Sequence, residues 1–239
     1  MLRNLYSLIS GGADVLSVAV MLLSYAALVF LMLPVHEFAH AFAADKLGDN
    51  TPRWNGRLTL NPLKHLDVLG TVMLLLVGFG YARPVPVNPR NFRHPKRDMA
   101  LTALAGPLSN LLMAAISLAI FRLVLYIRGS TVSFSGSYIM VDSELTYYLY
   151  LMLVQVFAGI NIALAVFNLL PLYPLDGSRI FAAILPDRWV EWMERNQQII
   201  MMVVLASLFF GVLDVPMHYL RMAVGWLLCT PLGLPNYFA

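Results

Sequence analysis

Apolar residues occur along this chain in long runs that polar residues hardly interrupt, a pattern typical of membrane-spanning helices. A helix needs about 20 mostly apolar residues to cross the hydrocarbon core of a bilayer. The first run is predicted to continue as helix towards Leu47, past its apolar part. The five runs that predict full spans are residues 15–33, 99–126, 145–170, 199–212 and 217–232.

A further apolar run, residues 67–80, has the sequence DVLGTVMLLLVGFG and is short for a span. Its apolar part lies between Gly70 and Gly80, and the basic segments on both sides of it are predicted to lie on one side of the membrane. The run is therefore predicted to be a re-entrant hairpin. Non-helical backbone at membrane depth is tolerated only where protein or a watery cavity covers it.

The composition supports a membrane protein, because 59% of the residues are hydrophobic and 12% are charged, with a mean hydropathy of +0.72. Soluble domains carry about 25% charged residues. The chain is predicted to be a single all-α polytopic membrane domain, residues 1–239, with five to six transmembrane helices. Its core is expected at about 15–180, and C-terminal helices at about 197–233. A net charge of +3 is too small and too scattered for nucleic-acid binding.

The basic residues predict how the chain is oriented in the membrane. Nine of the 16 Lys and Arg residues lie between residues 46 and 97, and three more arginines follow the third full span. The loop at residues 127–144 carries one arginine against the two acidic residues Asp142 and Glu144. By the positive-inside rule, the basic segments are cytoplasmic, which puts the N-terminus outside and the C-terminus inside.

Candidate chemistry lies at the end of the first run, in the segment HEFAH. His36 and His40 are four residues apart, so they share one helical face and can bind one metal ion through their imidazole nitrogens. Glu37 lies beside that face and can take a proton from a water molecule and later give it to a leaving amine. Three ionisable groups within five residues at bilayer depth are costly without a function. The pattern indicates a zinc hydrolase site.

A catalytic zinc ion usually has three protein ligands, so one more ligand is expected elsewhere in the chain. Asp176 is preferred, because it follows a span within FNLLPLYPLDGSRI and is predicted to lie at the depth of the histidines. Prolines and Gly177 interrupt the helix there and let the chain present a carboxylate. The alternative is that Asp176 caps a helix that begins near Ser178. The candidates considered are His65, Asp67, His94, Asp98, Asp176 and His218.

Two motifs resemble the site-2 protease family of intramembrane zinc metalloproteases: HEFAH at residues 36–40 and NLLPLYPLDG at residues 168–177. The similarity continues between them in NPLKHLDVLGT, ARPVPVNPRNF and ALAGPLSN, so it covers about residues 34–180. One departure is Val68, where the family more often has proline. The chain is similar to a minimal member without PDZ or CBS domains.

The resemblance implies one zinc ion bound by His36, His40 and Asp176, with Glu37 as the catalytic acid and base. It also implies that Asn168 stabilises the substrate carbonyl, although an interhelical hydrogen bond is the alternative for an asparagine in a span. The expected activity is cleavage of a single-span membrane protein within or near its bilayer segment, in regulated intramembrane proteolysis. The expected location is the plasma membrane of a prokaryote, with the site near the cytoplasmic face.

The remaining polar positions carry weaker expectations. His65 and Asp67 either support a metal ligand from a second layer or lie in a solvated loop. Asn110, with the small residues around it, is expected to serve tight helix packing. Segments 57–60 and 82–87 look extended, and in the resembled family such strands form a small sheet at the membrane face.

Two other functions are alternatives to the protease. A membrane zinc transporter would show further His or acidic ligands along several spans, and these spans contain almost none. A catalytically silent scaffold would not need Glu37. A regulatory partner and a homo-oligomer are both left open by the sequence.

Overall fold

A computed structural model describes residues 15–77, 82–135 and 138–238, and nearly all of its regular structure is helical. The helices in chain order are α1 (Val15–Ala27), α2 (Leu33–Leu47), α3 (Thr51–Trp54), α4 (Pro62–His65), α5 (Val68–Val77), α6 (Pro95–Arg128), α7 (Glu144–Leu149), α8 (Gly159–Asn168), α9 (Asp176–Ala182), α10 (Asp187–Arg195), α11 (Gln197–Phe209) and α12 (Asp214–Cys229). The π-helical stretches Leu28–Met32 and Tyr150–Ala158 join α1 to α2 and α7 to α8. The prediction of an all-α membrane protein is confirmed in this coarse form.

Three continuous helices are long and apolar enough to cross a bilayer: Leu22–Leu47, Pro95–Arg128 and Glu144–Asn168. The helices α11 and α12 meet at an angle of 83° and pass the same test only together, so the total rises to four if they form one broken span. The predicted five or six spans are therefore not found among the described residues. The reason is length, because the 13 residues of α11 extend only about 20 Å along the helix axis.

The first and third long spans both run antiparallel to α6, so they are parallel to each other. His36 contacts Asn110 and His40 contacts Thr102, so residue numbers rise along α2 as they fall along α6. Contacts of α6 with Leu153 and Asn161 show the same relation with the third span. The end of α2, the start of α6 and the end of α8 therefore lie at one end of the bundle, called here the site face.

The apolar core lies between the spans and extends away from the site face. Phe121 of α6 and Tyr150 pack with their ring centroids 6.1 Å apart, and Tyr237 packs on both rings, at 6.0 and 5.4 Å. Phe121 lies 11 residues beyond Asn110 along α6, which is about 16 Å of helix. The chain near Tyr237 is thus at the end of the bundle opposite the site face.

Between α2 and α6, the chain leaves at Leu66 and comes back beside the same place at Ala82. Leu66 and Ala82 form an isolated antiparallel bridge, and the Arg83 amide donates to the His65 carbonyl at 2.8 Å. Between these contacts, α5 covers residues 68–77, and residues 78–81 lie outside the described part. The two ends of the segment predicted as a re-entrant hairpin are therefore neighbours.

The expected membrane-face sheet from segments 57–60 and 82–87 does not form in the described residues. The one sheet there is a hairpin between α6 and α7, with β1 (Val132–Ser135) paired to β2 (Tyr138–Val141) and Val132 opposite Val141. Two prolines, at positions 84 and 86, remove the amide donors that a strand ladder requires. The Arg57 side chain joins the two segments instead, since its Nη2 donates to the carbonyls of Arg83 and Pro84, both at 2.9 Å.

A buried carboxylate fixes this loop to the end of α2. Asp49 accepts hydrogen bonds from the amides of Thr51 at 3.0 Å and Asn88 at 2.7 Å, and from Asn91 Nδ2 at 2.7 Å. Burial by itself would raise the pKa of Asp49, but these hydrogen bonds outweigh it and hold the pKa below its usual range. The loop that follows the first span is therefore tied to the helix that carries His36 and His40.

Candidate metal centre

The two histidines face each other on one side of α2. Their Nε2 atoms are 3.0 Å apart, and their ring centroids are separated by 4.6 Å in an edge-to-face arrangement. His36 is 5% exposed and His40 is 8% exposed. The spacing of four residues brings them together, as predicted, because it places both on one helical face.

Asp176 joins the two histidines from another part of the chain. Its Oδ2 lies 3.2 Å from Nε2 of His36 and 3.2 Å from Nε2 of His40. Asp176 is the first residue of α9, where Leu175 occupies the N-cap position, and no side chain caps that helix. The alternative of a capping aspartate is therefore wrong, since the carboxylate turns towards the histidines.

Gly177 allows the approach of Asp176. A Cβ atom at this position would lie 2.2 Å from the Leu170 carbonyl oxygen and 2.4 Å from that of Leu169. Any other residue would push α9 away from the end of the span. The turn after α8 can thus be tight enough to return Asp176 to the level of α2.

The hydrogen bonds of the two Nδ1 atoms determine whether the Nε2 atoms carry a proton or a free lone pair. His40 Nδ1 lies 2.8 Å from the Thr102 carbonyl oxygen, and His36 Nδ1 lies 2.6 Å from Asn110 Oδ1. Both partners are acceptors, so each Nδ1 carries the proton and each neutral ring keeps a lone pair on Nε2. Two nitrogen lone pairs and a carboxylate oxygen therefore converge on one point.

This arrangement fits a zinc ion. The three ligand atoms lie within 4.8 Å of one another, and the buried Asp176 Oδ2 has no hydrogen-bond partner among the described residues. Tetrahedral zinc with ligands at 2.0–2.1 Å separates neighbouring ligand atoms by about 3.3 Å, close to the distances seen here. A cation bound between these three acceptors would satisfy them, and two nitrogens with one oxygen are a donor set that zinc prefers.

A chain of buried amides holds His36 from behind. Asn110 accepts from His36 and donates through Nδ2 to Asn161 Oδ1 at 3.0 Å, and Asn161 in turn donates to the Phe157 carbonyl at 2.7 Å. Asn161 thereby fixes which end of the Asn110 amide faces the histidine. The orientation of that amide selects the His36 tautomer that leaves Nε2 free for a metal.

Gly106 of α6 lies directly against the two histidines. A Cβ atom there would be 2.4 Å from His40 Nε2 and 2.6 Å from His36 Cε1. The backbone of α6 can approach the candidate ligands this closely only because this residue has no side chain. Gly106 therefore shapes the metal centre, whereas its pattern in the sequence indicated helix packing.

Replacing Gly106 by alanine is expected to weaken zinc binding by about 10- to 100-fold, the range seen when groups that orient metal ligands are lost. The new methyl group must displace the ring nitrogens of the two candidate ligands. Competition with a zinc chelator measures the effect on detergent-purified protein. Gly159→Ala adds the same group to another membrane helix, where the nearest atom is 3.4 Å away, and should leave zinc affinity unchanged. Equal affinity in both variants would contradict the proposed close packing.

Glu37 is half-buried on the same helix, next to the ligands. Its charge acts on His40 and on the Arg57 guanidinium. Burial lowers the pKa of Arg57, the nearby charge of Arg83 acts in the same direction, and the charge of Glu37 opposes both. A carboxylate is thus present beside the metal centre, at the place where a proton acceptor is needed.

The structure places the other predicted residues as follows. Asn168, the last residue of α8, donates from Nδ2 to the Leu164 carbonyl at 3.0 Å, and its role at a substrate carbonyl stays a prediction. His65 is buried, with Nε2 bonded to the Thr59 carbonyl at 2.7 Å. Asp67 accepts from the Gly70 amide at 2.9 Å at the start of α5. The hydrogen bonds of His65 and Asp67 thus organise the loop and α5.

Sequence reasoning missed the groups that hold the ligands from behind: Gly106, Asn110, Asn161 and the Thr102 carbonyl. One signal was available for the two asparagines, because an amide in the middle of an apolar span is costly unless it is paired. Nothing in the spacing of residues along α6 shows that Thr102, Gly106 and Asn110 face α2.

Comparisons with known proteins agree on the part of the chain that contains this centre. The family described as "Peptidase family M50" matches residues 24–211. "Putative zinc metalloprotease YwhC" of Bacillus subtilis (strain 168) is 44% identical over 155 residues, 64% of this chain and 64% of the relative. "Putative zinc metalloprotease Rip2" of Mycolicibacterium smegmatis is 32% identical over 152 residues, 62% of this chain and 51% of the relative. The matched region thus spans about half to two thirds of these relatives, and no solved structure matches.

Proposed function

Because the chain belongs to peptidase family M50, the site-2 protease family, we propose that it is an intramembrane zinc metalloprotease. Its proposed reaction is hydrolysis of a peptide bond within or near the transmembrane segment of a membrane-protein substrate. The observation that carries this proposal is the convergence of His36, His40 and Asp176 at the site-face end of three apolar spans. Metal ligands at that position suit hydrolysis at the edge of a bilayer.

The residues of the centre divide the chemistry between them. His36, His40 and Asp176 would hold one zinc ion, which supplies Lewis acidity to the water and to the scissile carbonyl. Glu37 accepts the proton of the attacking water and delivers it to the leaving amine. Asn168 is proposed to donate to the substrate carbonyl oxygen as negative charge develops there.

The substrate is proposed to enter sideways from the lipid, while water reaches the centre from the site face. A helical substrate must become extended before its peptide bond can reach the ligands. Segment 82–87 supports this step, because it follows an extended path and Arg57 anchors it beside Glu37. An extended segment at this place can bind a substrate strand by backbone hydrogen bonds.

The site face is proposed to be cytoplasmic, in the plasma membrane of a prokaryote, because the basic segments of residues 46–97 lie there. Segment 67–80, whose last three residues lie outside the described part of the chain, is proposed to be re-entrant, since the residues that flank it pair at Leu66 and Ala82. The pair α11 and α12 is proposed to cross once, because Tyr237 packs at the far end of the bundle. One crossing puts the C-terminus outside, whereas the sequence prediction of an inside C-terminus assumed two.

The transporter alternative receives no support from the described residues. Within them, His36, His40 and Asp176 are the one group of three or more potential ligands close enough to share a metal ion. A transport pathway would need further ligands at other depths. Regulated intramembrane proteolysis by a single fixed site remains the proposal.

The test uses purified protein in vesicles with a panel of single-span substrates that share the same flanking soluble domains. Some spans contain Asn, Gly or Pro in the middle and others are uniform Leu and Ala. We expect zinc-dependent cleavage inside or next to the span, faster where the helix is easily unwound, with the cut mapped by mass spectrometry. The control substrate lacks the span. Equal cutting of that control, or cuts confined to the soluble flanks, would contradict the proposal.

A further inference from the structure

Helix α10 has an exposed apolar side that the metal centre does not explain. Its sequence, DRWVEWMER, places Trp189, Trp192 and Met193 on one side of the helix. Trp189 is 59% exposed and Trp192 is 53% exposed, and their rings pack together with centroids 6.5 Å apart. Two neighbouring exposed tryptophans in a nine-residue helix call for a specific environment.

The surface of α10 divides into three sides of about equal width at about 100° per residue. One side faces the protein, where Asp187 pairs with Lys96 and where Val190 and Glu194 line a cavity of about 310 Å³. A second side is charged and exposed, with Glu191 and Arg195 3.5 Å apart. The third side is the apolar one. Protein covers the first side and water the second, so the third side needs a different, apolar environment.

The ion pair between Asp187 and Lys96 sets the level of α10 relative to the bilayer. Lys96 lies in the first turn of α6, whose 34 residues extend about 51 Å. The hydrocarbon core is only about 30 Å thick, so the first turns of α6 stand in the headgroup region. Helix α10 therefore lies at the depth where tryptophan is enriched in membrane proteins.

Both ends of α10 are attached to membrane-associated elements. The short α9 follows the turn after the third span, and a single residue, Asn196, separates the end of α10 from the start of α11. Apolar residues are exposed around α11, among them Ile199, Met202 and Val203, as expected for a helix that lipid surrounds. Because only Asn196 separates α10 from α11, the bilayer that surrounds α11 can also reach the apolar side of α10.

From these observations we propose that α10 is an interfacial helix that binds the boundary between phospholipid headgroups and acyl chains through Trp189, Trp192 and Met193. It carries two arginines and three acidic residues, so its own charge does not favour anionic lipid. Apolar burial drives the binding, and zwitterionic phosphatidylcholine suffices. The docked helix connects to α9 and keeps the element that carries Asp176 at a fixed level.

The test measures fluorescence of variants with a single tryptophan in phosphatidylcholine vesicles. Phenylalanine replaces all tryptophans but one, so that the fluorescence comes from Trp192 alone or from Trp189 alone. We expect strong quenching by lipids brominated near the headgroup end of the acyl chain and weak quenching by aqueous acrylamide. Adding anionic phosphatidylglycerol should leave both values unchanged.

The matched control moves the tryptophan to the charged side of the same helix, by Glu191→Trp in the background without other tryptophans. That side faces water, so acrylamide should quench it several-fold more than Trp192. Acrylamide quenching of Trp192 as strong as that of free N-acetyl-tryptophanamide would overturn the proposal. Protection of Trp192 from both acrylamide and brominated lipid would also overturn it, since protein would then cover this side. Neither readout depends on protease activity.

Discussion

Replacing Asp176 by alanine is expected to lower the zinc affinity of the purified protein by more than about 100-fold. Loss of a supporting group behind a metal ligand already costs about 10- to 100-fold. Asp176 is placed as a ligand itself, with Oδ2 at 3.2 Å from both histidine nitrogens. The two histidines that remain form an incomplete site, because zinc in catalytic centres usually has three protein ligands.

Chelator competition on wild type and variant in detergent measures this affinity. The control is Glu144→Ala, which removes an exposed carboxylate from the first turn of α7, at the end of the bundle opposite the site face, and should leave zinc binding unchanged. Helix content by circular dichroism shows that both variants remain folded. Equal zinc affinity in wild type and Asp176→Ala would mean that the third ligand is misassigned.

Replacing Glu37 by glutamine is expected to abolish cleavage while zinc remains bound. The amide keeps the size of the side chain but cannot take the proton of the attacking water. General acid–base groups contribute about 10²- to 10⁴-fold to a rate, so the residual activity should fall by at least that range. Single-turnover cleavage of a membrane-inserted substrate and zinc content are measured on the same sample.

The control for Glu37→Gln is Asp45→Asn, the same chemical change on the same helix. Asp45 pairs with Arg53 at 2.7 Å, away from the ligands, so this variant should cleave at the wild-type rate. Activity of Glu37→Gln within a few-fold of wild type would contradict the assigned mechanism. Loss of zinc from that variant would show instead that Glu37 helps to bind the metal.

The convergence of the three candidate ligands could be predicted because it depends on simple rules. A separation of four residues on a helix puts His36 and His40 on one side whatever surrounds them. Asp176 followed from membrane topology, since the basic loops place the end of the third span at the depth of the histidines. The structure brings these three residues together within hydrogen-bonding range.

The residues behind the ligands could not be predicted, because their roles arise from the packing of distant helices. Gly106 and Asn110 lie on the side of α6 that faces α2, and only the observed pairing of the helices shows this. In the sequence they formed a patch of small and polar residues that is equally typical of ordinary helix packing. Chain order alone does not determine which helices touch.

Two features of the fold differ from the prediction for identifiable reasons. The C-terminal apolar runs had the hydropathy of spans, but α11 is too short to cross alone, and the two helices pass the test for a span only together, with a bend of 83° between Phe209 and Asp214. The expected strands near residues 57–60 and 82–87 had suitable alternation, but prolines deprive the second of donors. The hydropathy pattern did not take helix length into account, and the strand pattern did not take hydrogen-bond donors into account.

The central claim is that one zinc ion is held by His36, His40 and Asp176. X-ray absorption at the zinc edge, combined with elemental analysis of the wild-type protein, tests it most directly. The account predicts one zinc per chain, four-coordinate, with two imidazole nitrogens at about 2.0–2.1 Å and oxygen in the remaining positions. A sulfur ligand, a single imidazole, or zinc far below one per chain after exposure to zinc would contradict it.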